Sequence, residues 1–308
     1  MAEVFAEPLY RRYHAPRFSS AYLFSLFCYV VLLIMPFFLA YPFHKNGGIW
    51  LKHDTYWEQP KTTYQYKTII VMQVEDASGS PSEIFHSTIG GVNALRPDSF
   101  RTATIRSREI DNNLDGVIDQ LYFSAVFPLS ASERVYSAHA LLVFNYTLQD
   151  RVKIDTEAMV YVAHDSGLAG SGLFVNGDLN FIQRYPIEIR DQSSTLYVDE
   201  PLLDEQSGST QIDVSVIKNI VEKYSRRLYA NVRMGNILSL WSRAMDTSST
   251  NEGQFNFTLT INIPEHEVRY IPKAADVLKD AWIKYVSLFV VVNYLLRSFC
   301  SFVFNHQM

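Results

Sequence analysis

The residues best suited to chemistry lie in 109-EIDNNLDGVIDQLYF-123. Read as D-x-N-x-D-G-x-x-D, the stretch places side-chain oxygens at Asp111, Asn113, Asp115 and Asp119, with Gly116 at the bend. Calcium is a hard ion that takes six to eight oxygens at about 2.4 Å, so alternating Asp and Asn in a loop wrapped around one point suit it. The Val117 carbonyl and Asp119, directly or through water, would supply more. The loop is not an EF-hand. Its twelfth position is Tyr122 where that motif needs a bidentate Glu, and a strand pattern follows instead of a helix. The same residue types also build a solvated Asx-rich turn. The expected role is structural, with calcium as the one candidate cofactor.

Other chemistries find little support. The histidines His44, His53, His86, His139, His164 and His266 show no metal-ligand spacing, and no cysteine joins them. His164-Asp165-Ser166 is not a triad, because adjacent residues cannot face one another as the geometry requires. There is no nucleophile elbow, P-loop, dinucleotide fingerprint or HExxH. No enzyme is expected. A net charge of −5 gives no case for nucleic acid.

The elements that position the loop are framed by two apolar segments. Residues 19–43 carry no charge, and a bilayer core needs roughly 20 residues of helix. An 18-residue polar tail precedes them, which suits a retained signal anchor. In the second segment, residues 281–304, Lys284 and Arg297 bracket the most apolar part; long cationic side chains near helix ends reach the headgroups, and Trp282 and Tyr285 sit where an interfacial belt would lie. Arg11, Arg12 and Arg17 precede the first span, against Lys45 and Lys52 after it. The positive-inside rule therefore places the tail 1–18 and the C-terminus 305–308 in the cytoplasm. Residues 44–280 become an extracytoplasmic domain. Both cysteines, Cys28 and Cys300, belong to the apolar segments, so that domain must rely on its core instead of disulfides. Two spans without a midspan ionisable residue argue against a channel.

The domain reads as mainly β. Segments 68–74, 121–127, 135–148 and 159–165 are rich in β-branched and aromatic residues. Turn signals are expected at 77–82, 165–172, 176–178 and 205–210, with Asn176-Gly177 reading as a hairpin and 247–253 as a flexible loop. From Asp213, a candidate N-cap, apolar residues recur at Ile217, Ile220, Val221, Tyr224 and Leu228, one helix face. Lys218, Lys223, Arg226 and Arg227 make that helix's other face basic, either a partner surface or a solvated face paired with Glu222. The sum is a β-sandwich-like domain with an inserted helix. Two glycosylation sequons start at Asn145 and Asn256; the second lies in FNFTLTINI, whose strict alternation turns Asn256 toward solvent.

With this outline the chain resembles the transmembrane protein 231 family nearly end to end. The resemblance is carried by 50-WLKHDTYWEQP-60, 107-SREIDNNLDGVIDQLYF-123, 173-LFVNGDL-179, 268-VRYIP-272, 278-LKDAWIKYVSLF-289 and 302-FVFNHQ-307, and is weakest from about 185 to 255. It implies a membrane-anchored architectural subunit of the ciliary transition zone, at the base of the cilium. Its partners would be tectonic-like, B9-domain and Meckel-syndrome-associated proteins, and its role cilium assembly and the diffusion barrier for ciliary membrane proteins. No catalytic site comes with the resemblance. The alternative from the residues alone is a receptor-like or adhesion protein with a ligand-binding ectodomain.

Overall fold

A computed structural model describes residues 14–40, 51–94, 97–189, 202, 214–227, 229–243 and 253–306. The expected turn at 205–210, the N-cap Asp213, Leu228 and most of the loop 247–253 lie outside them. In chain order the elements are α1 (Ser20–Ala40), β1 (Asp54–Glu58), β2 (Lys61–Glu75), β3 (Pro81–Ser87), α2 (Gly90–Ala94), β4 (Thr104–Ile110), β5 (Gln120–Pro128), β6 (Arg134–Leu148), β7 (Ile154–Ile182), β8 (Ile187–Glu188), α3 (Val214–Ser225), β9 (Asn231–Arg243), β10 (Gln254–Asn262), β11 (His266–Ile271) and α4 (Ala274–Asn305). The chain divides into a helical unit, residues 1–53 and 272–308, and a mainly β unit, residues 54–271.

In the helical unit both long helices are long and apolar enough, by length and composition, to cross a membrane. They run side by side. Phe24 of α1 meets Phe299 and Phe304 of α4 at 6.3 and 6.0 Å. α4 begins at Ala274, seven residues before the expected start of the span at 281. The extra turns carry Asp276, Lys279 and Asp280, which length and hydropathy exclude from a span but which helix geometry accepts; Asp280 pairs with Lys284 one turn on.

The β unit is organised by β7, 29 residues long. Its first part pairs with β6, which continues through β2 to β3. Its last part pairs antiparallel with β9 and parallel with β10, which continues through β5 to β4. The two halves of the sheet face each other. Tyr64 of β2 meets Phe123 of β5 at 6.0 Å, His86 of β3 meets Phe127 of β5 at 6.0 Å, and Tyr146 of β6 stacks on Phe181 near the end of β7 at 5.6 Å. Phe123, Phe127, Phe255 and Phe257 are fully buried between them. The sandwich-like core is therefore made by one long strand passing from layer to layer. A smaller sheet, β1-β11-β8, adds Val268 and Tyr270 to the same core.

The inserted helix forms where the 3.6-residue period places it. Ile217, Ile220 and Tyr224 of α3 pack on Ile69, Val71, Leu141, Val143 and Met159, the outer face of the β2-β6-β7 layer. That layer is covered on both sides, which explains why 69–72 and 140–144 are unbroken apolar runs instead of alternating ones.

Two expected turns are corrected. Residues 165–172 and 176–178 lie inside β7, and Asn176-Gly177 is not a hairpin. At the first, the pairing steps from Ser137↔Asp165 to Val135↔Gly170, so β7 bulges as it changes layer. A Cβ on Gly170 would fall 2.2 Å from the Trp241 ring. At the second, a Cβ on Gly177 would fall 2.9 Å from the Gly235 carbonyl of β9. Glycine is there for close approach between strands, not to reverse the chain.

Candidate functional site

The β4–β5 loop contains the candidate calcium ligands, and each carboxylate is engaged by backbone amides. Asp111 accepts from the Leu114 and Gly116 amides at 2.7 and 3.0 Å. Asn113 accepts from the Asp115 amide at 3.1 Å, and Asp115 accepts from the Val117 amide at 2.7 Å and from the Asn113 side-chain amide at 2.8 Å. Leu114 and Gly116 take positive φ values of 60° and 86° to allow this winding. Among the described residues, no three or more His, Cys, Asp or Glu side chains gather closely enough to hold a metal ion. Each carboxylate oxygen has a second lone pair, so an ion would have to share these side chains with the amides or draw them off.

Asp119 faces elsewhere. Its Oδ1 accepts from the Gln59 side chain at 2.8 Å, and its Oδ2 accepts from the Asn112 and Asn113 amides at 2.7 and 3.3 Å. These bonds, the one from Gln59 foremost, hold its carboxyl below the usual range. Its backbone carbonyl accepts from the Ile263 amide at 2.8 Å, so the loop is tied both to the residue after β1 and to the link between β10 and β11.

From Asp119 a row of polar side chains crosses the outer face of four strands. Gln120 of β5 donates to Asn262 of β10 at 2.8 Å. Asn262 donates to Asp178 of β7 at 2.9 Å and to Asn176 at 3.3 Å. Asn236 of β9, at a φ of 50°, donates to the other Asp178 oxygen at 2.8 Å. The bonds from Asn236 and Asn262 lower the Asp178 pKa. The β7–β9 bulge at Asn176–Asp178 is what brings Asn236 onto the row.

A second knot lies on β1 and β11. Tyr56 donates to Glu58 at 2.9 Å and accepts from the Val152 amide at 3.2 Å, while Glu58 accepts from the Gln149 and Asp150 amides at 2.6 and 3.0 Å. Tyr270 donates to Asp54 at 2.9 Å, accepts from Arg151 and packs edge-on against Tyr56. Burial pushes both phenols above their usual value. His266 is buried beside them. Its Nε2–H donates to the Leu179 carbonyl at 2.6 Å and its Nδ1 accepts from Tyr146 at 2.9 Å, while burial lowers its pKa. A groove of about 450 Å³ opens next to it, edged by Glu267, Arg269 and the exposed Trp57.

Segments far apart in the chain thus meet in one polar brace: 54–59, 111–120, 149–152, 176–179, 236 and 262–270. Of these residues the sequence pointed to the 111–119 loop alone. Gln59, Asp178 and Asn236 carry no local signal of their role. Asn262 carries one, as the last member of the polar face of β10. The sequon Asn145 is half-buried in β6 opposite Thr63 and Glu157, and Asn256 is half-buried in β10 opposite Val126 and Gly172. Just past α3, Arg226 bridges Glu222 at 2.5 Å, but Arg227 is buried, over the Tyr224 ring at 4.9 Å and donating to the Glu157 carbonyl. Arg227 therefore belongs to the packing of α3 and not to a basic surface.

The segments that make the brace overlap those that carry the family resemblance, and comparison with known proteins extends it to the whole chain. The profile of the family "Transmembrane protein 231" matches residues 1–308. The chain belongs to the transmembrane protein 231 family. The family's protein from Xenopus tropicalis is 30% identical over 99% of this chain and 93% of its own length. Those from Mus musculus and Homo sapiens are 30% and 29% identical, each over 99% of this chain and 92% of their own length. Among solved structures, a proton-activated chloride channel aligns over 92% of this chain and 99% of its own at 8% identity, with a TM-score of 0.25, which does not demonstrate a shared fold. Membership makes this a membrane protein, with α1 and α4 as its candidate spans.

Proposed function

We propose that the protein is an architectural, non-catalytic subunit of the ciliary transition zone, contributing to cilium assembly and to the barrier that controls ciliary membrane composition. The observation that carries this reading is the family match across the full chain. The N- and C-termini lie in the cytoplasm, and the β unit is extracytoplasmic, carries glycans at Asn145 and Asn256 and packs against ectodomains of tectonic-like and Meckel-syndrome-associated partners. Complex formation with B9-domain proteins belongs to the same reading. The brace supports the reading because crosslinked strands keep a docking surface in one shape. Trp57 and Arg269, at the groove beside it, are residue types that anchor interfaces.

Calcium at Asp111, Asn113, Asp115, Val117 and Asp119 is part of the proposal, as a structural ion that adds to the loop's own hydrogen bonds. In thermal melts of the full chain, calcium should raise Tm over chelator, and substituting Asp111 and Asp115 by Ala should abolish the difference. Identical wild-type melts would remove the ion and leave the loop braced by its amides alone.

The functional reading is tested by imaging a tagged copy in ciliated cells lacking the native chain. A rescuing copy confined to a narrow ring just above the basal body supports it. A rescuing copy spread over the plasma membrane or held in internal membranes would contradict it and favour the receptor-like alternative.

A further inference from the structure

The paired helices leave one feature that the architectural reading does not use. Cys28 and Cys300 bring their sulfurs to 3.3 Å, and the Tyr285 hydroxyl donates to the Leu33 carbonyl at 3.2 Å. Beyond that contact, where α1 finishes and α4 begins, an open cleft of about 660 Å³ runs along α4 beside Phe37 of α1. Its size falls in the range of small-molecule pockets, about 300–1,000 Å³. Phe37 closes one side, and Leu278, Ala281, Trp282 and Tyr285 close the other. The lining is almost wholly hydrocarbon, and Lys279 is its one charged member.

The shape of the wall selects the occupant. Trp282 stacks with Tyr285 at 6.2 Å and 29°, and Tyr285 with Phe289 at 6.1 Å and 28°. This row of rings is rigid, and the Tyr285 bond to Leu33 fixes its middle member. A flexible acyl chain loses rotamer freedom when pressed on such a wall, whereas a rigid fused-ring system loses little. Lys279 lies six residues before Tyr285, about 9 Å along the helix axis, so an ammonium stands at one end of the apolar wall. Read toward the C-terminus, Lys279-x5-Tyr285-x2-Leu288 also fits the reversed cation–tyrosine–leucine pattern suggested for sterols. That pattern is weak alone and gains weight here from the cavity behind it.

We propose that this cleft binds a single sterol. The ring system lies against Trp282 and Tyr285, the hydroxyl accepts from the Lys279 ammonium, and the tail runs past Phe289. The inference is independent of the transition-zone reading, since it needs only the two helices in a sterol-containing bilayer.

The test uses the full chain in phosphatidylcholine vesicles with a photoreactive cholesterol analogue, followed by peptide mapping. Label is expected on residues 275–285 and around Phe37, and excess cholesterol lowers it about tenfold, equivalent to a tenfold shift in occupancy. Ala281→Phe fills the cleft without removing a polar group and abolishes the focused label. Lys279→Gln, at an exposed position, weakens it severalfold. Label spread evenly along both helices would overturn the proposal. So would label that cholesterol does not displace, or that is unchanged in a melting-competent Ala281→Phe chain. A photoreactive phosphatidylcholine that marks the same residues and resists cholesterol would assign the cleft to annular phospholipid instead.

Discussion

Asp178 accepts from two strands at once, Asn236 of β9 and Asn262 of β10, and so joins elements whose backbones pair with β7 but not with each other. Asp178→Ala leaves two amides without their acceptor and should lower stability by about 1 kcal/mol, since water reaches this half-buried site. Asp178→Asn, which keeps one acceptor, should cost less; equal losses in denaturant melts would contradict the assignment. On the acid side the pH dependence follows from two buried histidines and from carboxylates depressed by hydrogen bonds, Glu133 beside Arg101 among them. His86 and His266 are held below the usual imidazole value near 6.5 by burial. The unfolded chain binds the proton first, so their contribution is complete above about pH 6.5 and is lost as pH falls through the folded values. Asp119 and Asp178 are depressed by hydrogen bonds, so theirs is complete above about pH 4 and is lost below it. Tm should therefore fall in two stages on acidification, and His266→Gln should flatten the upper one. A Tm that rises between pH 6.5 and 5 would contradict this account. At this scale the sequence showed the Asp loop because its ligands are neighbours in the chain. It could not show Gln59 or Asn236, whose roles exist only once distant strands meet.

The strands and helices were legible to the extent that their partners were local. α3 announced itself through Ile217, Ile220 and Tyr224, because one face of a helix meets one surface. The alternation of β10 is likewise what a strand with one buried face must show. β7 was misread because its glycines answer to Trp241 and Gly235, residues more than fifty positions away. Glycine signals permissive backbone, and only the fold says whether that permits a turn or a close approach. This yields a sharp prediction. Gly177→Ala places a Cβ 2.9 Å from the Gly235 carbonyl, a backbone atom that cannot step aside. It should cost about 1–3 kcal/mol by overpacking and loosen β9, read as faster amide exchange at residues 231–243. Wild-type exchange there would contradict the close approach assigned to Gly177 and β9. By contrast, Phe257→Ala in the shared core should cost about 3–5 kcal/mol and unfold both layers together.

For the whole molecule, composition and hydropathy were sufficient to place a mainly β unit between two apolar helices, because membrane thickness and burial impose lengths that no partner can alter. Orientation rests on few charges, and the glycosylation sequons test it independently. If the β unit is extracytoplasmic, Asn145→Gln and Asn256→Gln should each remove one step of glycosidase-sensitive mobility in cells. A chain with no glycan whose β unit is cut by protease from the cytoplasmic side would reverse the topology.

The architectural claim is tested most directly in ciliated cells lacking the native chain. These are complemented with wild type or with the Gln59→Ala, Asp178→Ala double variant, and entry of a plasma-membrane reporter into the cilium is measured. Wild type should restore exclusion of the reporter, while the double variant, present at the membrane in equal amount, should leave the cilium permeable. A reporter excluded equally well with and without the chain would contradict the barrier role, and exclusion fully restored by the double variant would contradict the part assigned to the brace.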